Sequence, residues 1–353
     1  MESMTKNTVV RRGGTAVAAA ALIAVLAGCG ASAGGAEKVA QSKVSFDLKG
    51  QTVRIGTAAE QPLDIGTSYG LELLAGWGAD VKREELTSIS GLEAIVAGQI
   101  DVSGRSSDEV VDGNARDFPL VAFGAGASEM HYVLIGSPNI KQVSDMAGKK
   151  IAISGPGGFD TLLIDAILEK EGLDPAKDVT QVPIGGSGER TAAVLVKQAD
   201  VAMVFMDNWF ALEAKGADVG LVGYVAEILP GLSSRAFAAK RGYLDDNPEM
   251  ALAIACANLE SNRWIKEDKD SFVDFTLKRV KGTTAEGIGA FYDRAIDLKM
   301  FPSDPELVLP PESFQATADL MFEAGAIDAS VDAKEFVDTS YLKEAAKMGC
   351  GAS

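Results

Sequence analysis

The 353-residue chain predicts an α/β protein of two lobes, each a wound, mostly parallel sheet flanked by helices, with extra helices at the C-terminal end. Three observations carry this. Ala94-Ile95-Val96-Ala97-Gly98-Gln99-Ile100-Asp101-Val102 returns as Ala193-Val194-Leu195-Val196-Lys197-Gln198-Ala199-Asp200-Val201, with Ala, Gln, Asp and Val identical at equivalent places. The order strand, helix, strand, helix, strand leads into and includes each copy. From about Asn247 onward the apolar spacing is helical.

The elements follow in order. Lys6, Arg11 and Arg12 precede an apolar run from Thr15 to Ala27. That run falls short of the about 20 apolar residues a membrane span takes, but it suits a signal-peptide core. It closes on Leu26-Ala27-Gly28-Cys29, which resembles the lipobox of bacterial lipoproteins. The resemblance implies removal of residues 1–28 and acylation of Cys29; an N-terminal membrane helix with an incidental Cys is the alternative. Arg11-Arg12 lacks the rest of a twin-arginine export pattern. Residues 29–49 read as a flexible tether, opening with Gly30-Ala31-Ser32-Ala33-Gly34-Gly35.

In the first half, Thr52–Gly56 alternates as a strand, Leu63–Trp77 reads as a helix and a second strand lies near Val81. The second half repeats this with a strand at Lys150–Ser154, a helix over Phe159–Glu171 and a strand at Asp178–Val182. Each copy of the repeat then supplies a helix end, a tight turn and a short buried strand. Two wound lobes place a ligand between them, at the carboxyl ends of the strands.

Composition limits the function. Lys plus Arg number 33 and Asp plus Glu 50, a formal charge of −17. Losing residues 1–28 removes three basic groups and one acidic one, so the remainder carries −19. That field repels polyanions, so nucleic acid is not an expected partner. One His and three Cys argue against a His-rich zinc site, a four-cysteine cluster and histidine-centred catalysis. No metal-ligand spacing occurs, and no cofactor is expected. With Cys29 acylated, Cys256 and Cys350 remain, either bridged or both free.

The strand-end loops offer the chemistry. Ser154-Gly155-Pro156-Gly157-Gly158-Phe159-Asp160-Thr161 joins a strand to a helix, where glycines turn backbone N–H groups and the helix end favours an anion. It lacks the ending of a Walker loop and the spacing of a dinucleotide fingerprint. A turn with positive φ would explain the same glycines. Gly185-Gly186-Ser187-Gly188-Glu189-Arg190 is a second such loop, in which Ser187 either meets ligand or caps a helix. Arg105, in Gly104-Arg105-Ser106-Ser107, is a planar donor suited to a carboxylate or sulfonate, or to a neighbouring Asp or Glu. Trp209, in Asp207-Asn208-Trp209, is either an aromatic wall or helix packing. His131 beside Tyr132–Ile135 reads as a hydrogen-bonded structural group, with no Ser-His-Asp set around it.

Ile140-Lys141-Gln142-Val143-Ser144-Asp145-Met146-Ala147-Gly148-Lys149-Lys150-Ile151 resembles a run found in type II solute-binding proteins of ABC importers. The likeness is to the branch serving sulfonates, nitrate, thiamine precursors and aromatic acids. Leu168-x-x-Glu171-Gly172-Leu173-Asp174-Pro175 and Ala94-x-x-Ala97-Gly98-x-Ile100-Asp101-Val102 extend it, over roughly residues 50–240. The resemblance implies a type II periplasmic-binding-protein fold. Lobe one would hold 50–126 and 223–353, lobe two 127–222, with crossovers near Gly124–Ala127 and Leu221–Tyr224. The ligand positions it implies are Glu60, Gln61, Arg105, Ser106, Gly157, Gly158, Phe159, Asp160, Thr161, Ser187 and Asn208. Lys197 departs from the family's usual Gly, and Met206-Asp207 stands where Pro is common.

The expected function is therefore an extracytoplasmic receptor, a monomer held to the membrane only by its lipid, that hands a solute to an ABC permease and its ATPase. Arg105, Phe159 and Trp209 point to a small organic anion, an aromatic carboxylate or a sulfonate. An enzyme of small-molecule metabolism on the same fold would need a placed acid or base, for which Asp160 or Glu60 would serve. An orphan sensor is the third reading, separated from the first by a neighbouring permease gene.

Overall fold

The computed structural model describes residues 42–86 and 89–352. The basic leader, Cys29 and the first part of the tether lie outside the described residues. Two five-stranded sheets organise the rest. In the first, β1 (Thr52–Thr57), β2 (Asp80–Glu85), β3 (Val102–Ser106), β4 (Leu120–Gly124) and β10 (Arg235–Lys240) lie in the order β2-β1-β3-β10-β4. In the second, β5 (Tyr132–Gly136), β6 (Lys150–Ile153), β7 (Thr180–Pro183), β8 (Val201–Phe205) and β9 (Gly220–Tyr224) lie in the order β7-β6-β8-β5-β9. The two orders are one order used twice.

One strand in each sheet opposes its neighbours: β10 between β3 and β4, and β5 between β8 and β9. Each is the first strand after the chain crosses between sheets. A short crossing leaves one sheet at the carboxyl end of a parallel strand and enters the other at the same level. The new strand must then run away from the gap, against the rest, so the carboxyl ends of the parallel strands face one another. The second crossing occupies 225–234, later than Leu221–Tyr224, because β9 continues through Tyr224 and β10 begins only at Arg235.

The repeat builds the same device in both halves. The Asp101 carboxylate accepts the backbone N–H of Arg54 at 2.9 Å, and the Asp200 carboxylate that of Lys150, also at 2.9 Å. Each Asp, just ahead of β3 or β8, ties that strand to its parallel neighbour, β1 or β6. The intervening apolar positions bury: Val53, Ile55 and Val102 on one side, Ala152, Ala202 and Val204 on the other.

The C-terminal helices touch both halves. Pro248–Glu267 packs along Ile65–Gly76, where Tyr69 stacks on Trp264 with ring centroids 4.1 Å apart. Ala285–Asp297 packs on Met206–Glu213, which follows β8, while Pro311–Glu323 meets both Ser107–Ala115 and Phe159–Lys170. Cys256 and Cys350 form a disulfide, with Cα atoms 5.2 Å apart, that ties the chain end to Pro248–Glu267. No described helix is long and apolar enough to cross a membrane. Among the described residues no group of three or more His, Cys, Asp or Glu is placed to hold a metal ion.

Candidate functional site

The gap between the facing strand ends contains a cavity of about 340 Å³. One wall comes from the helix Ser107–Ala115, which follows β3 and presents Asp108, Glu109 and Asp112. The opposite wall comes from Gly157, Gly158 and Phe159, where the loop after β6 enters the helix Phe159–Lys170. Gly157 has a φ of +76°, so the turn does need a residue without Cβ there. The same loop also lines the cavity.

Deeper in the gap are two buried ion pairs. Arg235, opening β10, lies 3.4 Å from Asp64, and Arg190 lies 3.5 Å from Asp160. All four side chains are nearly inaccessible. Asp160 also accepts the Ser154 N–H at 3.0 Å and the Ser154 hydroxyl, while Arg190 donates to Met203 O and Gly185 O. Asp160 therefore organises its own loop instead of standing as a free acid.

Carboxylates outnumber guanidiniums here, and their proton affinities respond. Burial pushes Glu109 up to about 7, with Asp108 repelling it and Arg105 opposing. Burial raises Asp108, against the Ser106 hydroxyl bond and the attraction of Arg235. Asp207, at the end of β8, is pushed up to about 6 by burial and by Asp64 across the gap, with Asn208 and Arg235 opposing. His131 is held well below its ordinary value by burial and by Arg235, so it is neutral. Its Nδ1 lies 2.8 Å from Ser234 Oγ, which links the two crossings.

The remaining residues expected at the site divide. Arg105 donates to Leu86 O at 2.9 Å and lies 3.5 Å from Glu109, so it is already engaged. Ser106 bonds Asp108. Thr161 donates to Gly155 O at 2.8 Å. Ser187 accepts the Phe205 N–H at 2.9 Å and donates to Asn208 at 3.1 Å, which joins the loops after β7 and β8. Glu60 follows the carboxyl end of β1 but does not line the cavity; burial raises its proton affinity, and hydrogen bonds from Ser68 and Arg83 outweigh that and lower it. Gln61 donates to Asp64 at 2.7 Å. Trp209 is buried in the main core.

Sequence reasoning passed over Asp108, Glu109 and Asp112. Their signal was three acids in the first turns of a helix that starts at a strand end. Asp64 and Arg235 were also passed over, and Arg190 was read only as the end of the second glycine loop. Arg235 meets Asp64 across 171 positions of sequence, a pairing that no local pattern announces.

Comparison with known proteins agrees with this architecture. The ligand-binding component of an ABC-type import system from Staphylococcus aureus superposes with a TM-score of 0.68 at 15% identity, over 84% of this chain and 99% of that one. The periplasmic aliphatic sulphonate-binding protein SsuA of Escherichia coli superposes at 0.65 with 18% identity, over 82% and 92%. The periplasmic nitrate-binding protein NrtA of Synechocystis PCC 6803 gives 0.65 and 17%, over 84% and 88%. No curated protein matches the sequence. The family model described as NMT1/THI5 like matches residues 78–271, more than half of the chain. With two like-ordered sheets meeting at a cavity, the chain has the two-lobed periplasmic-binding-protein fold and belongs to the NMT1/THI5-like family.

Proposed function

We propose that the chain is the extracytoplasmic solute-binding protein of an ABC importer, closing two lobes on a small organic solute and delivering it to the permease. The observation that carries this is the cavity of about 340 Å³ walled by Asp108–Asp112 from one half and Gly157–Phe159 from the other. A solute there touches both halves, so closure adds contacts and its free energy reports occupancy. Lobe one is 50–126 with the chain after the second crossing, 235–353, and lobe two is 127–224, since β9 runs through Tyr224. The C-terminal helix Ala285–Asp297 packs both on Met206–Glu213 of lobe two and on Lys269–Arg279 of lobe one. Cleavage after Gly28 and acylation of Cys29 would anchor this monomer, with the tether giving it reach to the permease. It binds without chemistry.

A thermal-shift screen of the purified protein tests this, using small carboxylates, sulfonates, amines, amidines and neutral heterocycles. At a hundredfold excess over Kd, a true solute stabilises by about 2.7 kcal/mol, or several degrees. No saturable shift across the panel would overturn the reading. One observation favours an anion, the aromatic carboxylate or sulfonate expected from the sequence. The N-terminus of Phe159–Lys170 lines the cavity, and helix N-termini attract negative charge.

A further inference from the structure

We infer that the helix Ala285–Asp297, although it follows the second crossing in sequence, travels with lobe two when the lobes move. This rests on the solute-binding reading and redraws its moving parts. The segments 280–284 and 298–304, which join that helix to its neighbours, flex together with the crossings 125–131 and 225–234.

The helix touches both lobes, and the two contacts differ in kind. On lobe two it approaches backbone to backbone. A Cβ on Gly287 would stand 3.2 Å from Phe210 O and 3.6 Å from Ala214 Cβ, so the missing side chain is what lets the two helices come this close. Near the other end, the Arg294 guanidinium lies over the Tyr224 ring, 4.0 Å from its centroid, and donates to Glu227 just past it at 2.5 Å. Lys215, beyond Met206–Glu213, donates to Gly282 O at 3.2 Å, ahead of the helix. A planar guanidinium held between a ring face and a carboxylate has little freedom to slide.

On lobe one the helix reaches out through its side chains. Phe291 and Tyr292 lie against Phe272, with ring centroids 6.4 and 5.2 Å away. The Tyr292 hydroxyl reaches Lys266 O at 3.4 Å, and Lys269 pairs with Asp293 at 2.6 Å where both are exposed. Packed side chains slide past one another in shear motions, and an exposed ion pair is worth little, so this contact yields first. The joining segments suit such a motion. Gly282 holds a φ of +81° and Lys299 one of +57°, so neither segment continues a helix. The Ser128 N–H donates to Met300 O at 2.9 Å, which sets the second segment against the first crossing, where rotation displaces it least.

Locking the helix to one lobe at a time tests this. Ala214→Cys with Gly287→Cys ties it to lobe two, since a Cβ separation of 3.6 Å lies within the range of about 3.5–4.5 Å that a disulfide takes. Should the tight fit at Gly287 spoil the fold, Tyr224→Cys joined to Arg294→Cys by a short bis-maleimide makes the same lock between partly exposed positions. Lys269→Cys joined to Asp293→Cys by the same reagent ties the helix to lobe one. Dyes coupled to unnatural amino acids at the exposed Val96 of lobe one and Val196 of lobe two report the lobe separation by single-molecule energy transfer. Each protein is measured alone and with each member of the thermal-shift panel. The parent is expected to show two separations, and the lobe-two lock to keep both with populations within about twofold of the parent's. The lobe-one lock is expected to hold the protein at one. A lobe-two lock confined to one separation, or free motion under the lobe-one lock, overturns the assignment and leaves the solute-binding reading standing. A parent confined to one separation whatever is added overturns the moving hinge, and this inference with it.

Discussion

Lys197 holds a φ of +59° at the position where Gly98, its counterpart in the other half, holds +68°. Both residues close the turn between a helix and the strand that follows Asp101 or Asp200. The left-handed turn is therefore required by the device and not by the residue. Glycine adopts it without strain, whereas a residue with a Cβ does so at a cost. Lys197→Gly is expected to raise unfolding free energy by about 0.5–1 kcal/mol, and Gly98→Ala to lower it by about 1 kcal/mol, read from denaturant midpoints at constant slope.

Asp64 and Arg235 form a pair with both partners almost fully buried. Removing one partner strands the other charge, so Asp64→Asn is expected to destabilise by about 3 kcal/mol. Replacing both, Asp64→Leu with Arg235→Met, should recover most of that loss. Chemical denaturation of the two variants checks this. A single variant within 1 kcal/mol of the parent would show that the pair is not load on the fold.

Glu109 makes stability depend on pH in a stated direction. Its carboxyl is pushed up to about 7 in the folded protein by burial, with Asp108 adding repulsion and Arg105, Arg235 and the Gly91 N–H opposing. The unfolded chain returns it to its ordinary range near 4.5. Between those values the folded state binds more protons, so this contribution is present in full at low pH and is lost as pH rises toward 7. The melting temperature of Glu109→Gln minus that of the parent should therefore grow from pH 5 to pH 7 and then level off. A difference independent of pH would contradict it.

The disulfide closes a long loop, since Cys256 and Cys350 are 94 positions apart. On the chain-entropy account such a cross-link is worth about 4.7 kcal/mol. The Cys256→Ser, Cys350→Ser variant is expected to lose about that much. Amide exchange should also speed up in the helix Ser340–Lys347, which packs on Pro248–Glu267.

The sheets were legible because each strand is a short apolar run bounded by turn residues, and because Asp101 and Asp200 mark the same place twice. The helix at Phe159 was legible from the glycines before it. The site was legible only in part. Gly157, Gly158 and Phe159 line the cavity as the strand-end argument requires. Arg105 looked available because its acceptors, Leu86 O and Glu109, come from a loop and a helix face that composition does not reveal. Asp108 and Glu109 drew no reading from the sequence, although they stand in the first turn of Ser107–Ala115. Their meaning depends on Phe159 standing opposite, which only the packing of the two halves creates.

The central claim is that the solute occupies the cavity between Asp108–Asp112 and Gly157–Phe159. Ala326 lines that cavity and is only partly buried, so Ala326→Trp fills it with little disturbance to the core. Titration calorimetry of the parent and of Ala326→Trp with the solute giving the largest thermal shift is the direct measurement. The expected result is one solute per chain for the parent and binding at least a hundredfold weaker for the variant, with the two proteins melting within a few degrees of each other. Equal dissociation constants in the two proteins would place the solute elsewhere and contradict the account.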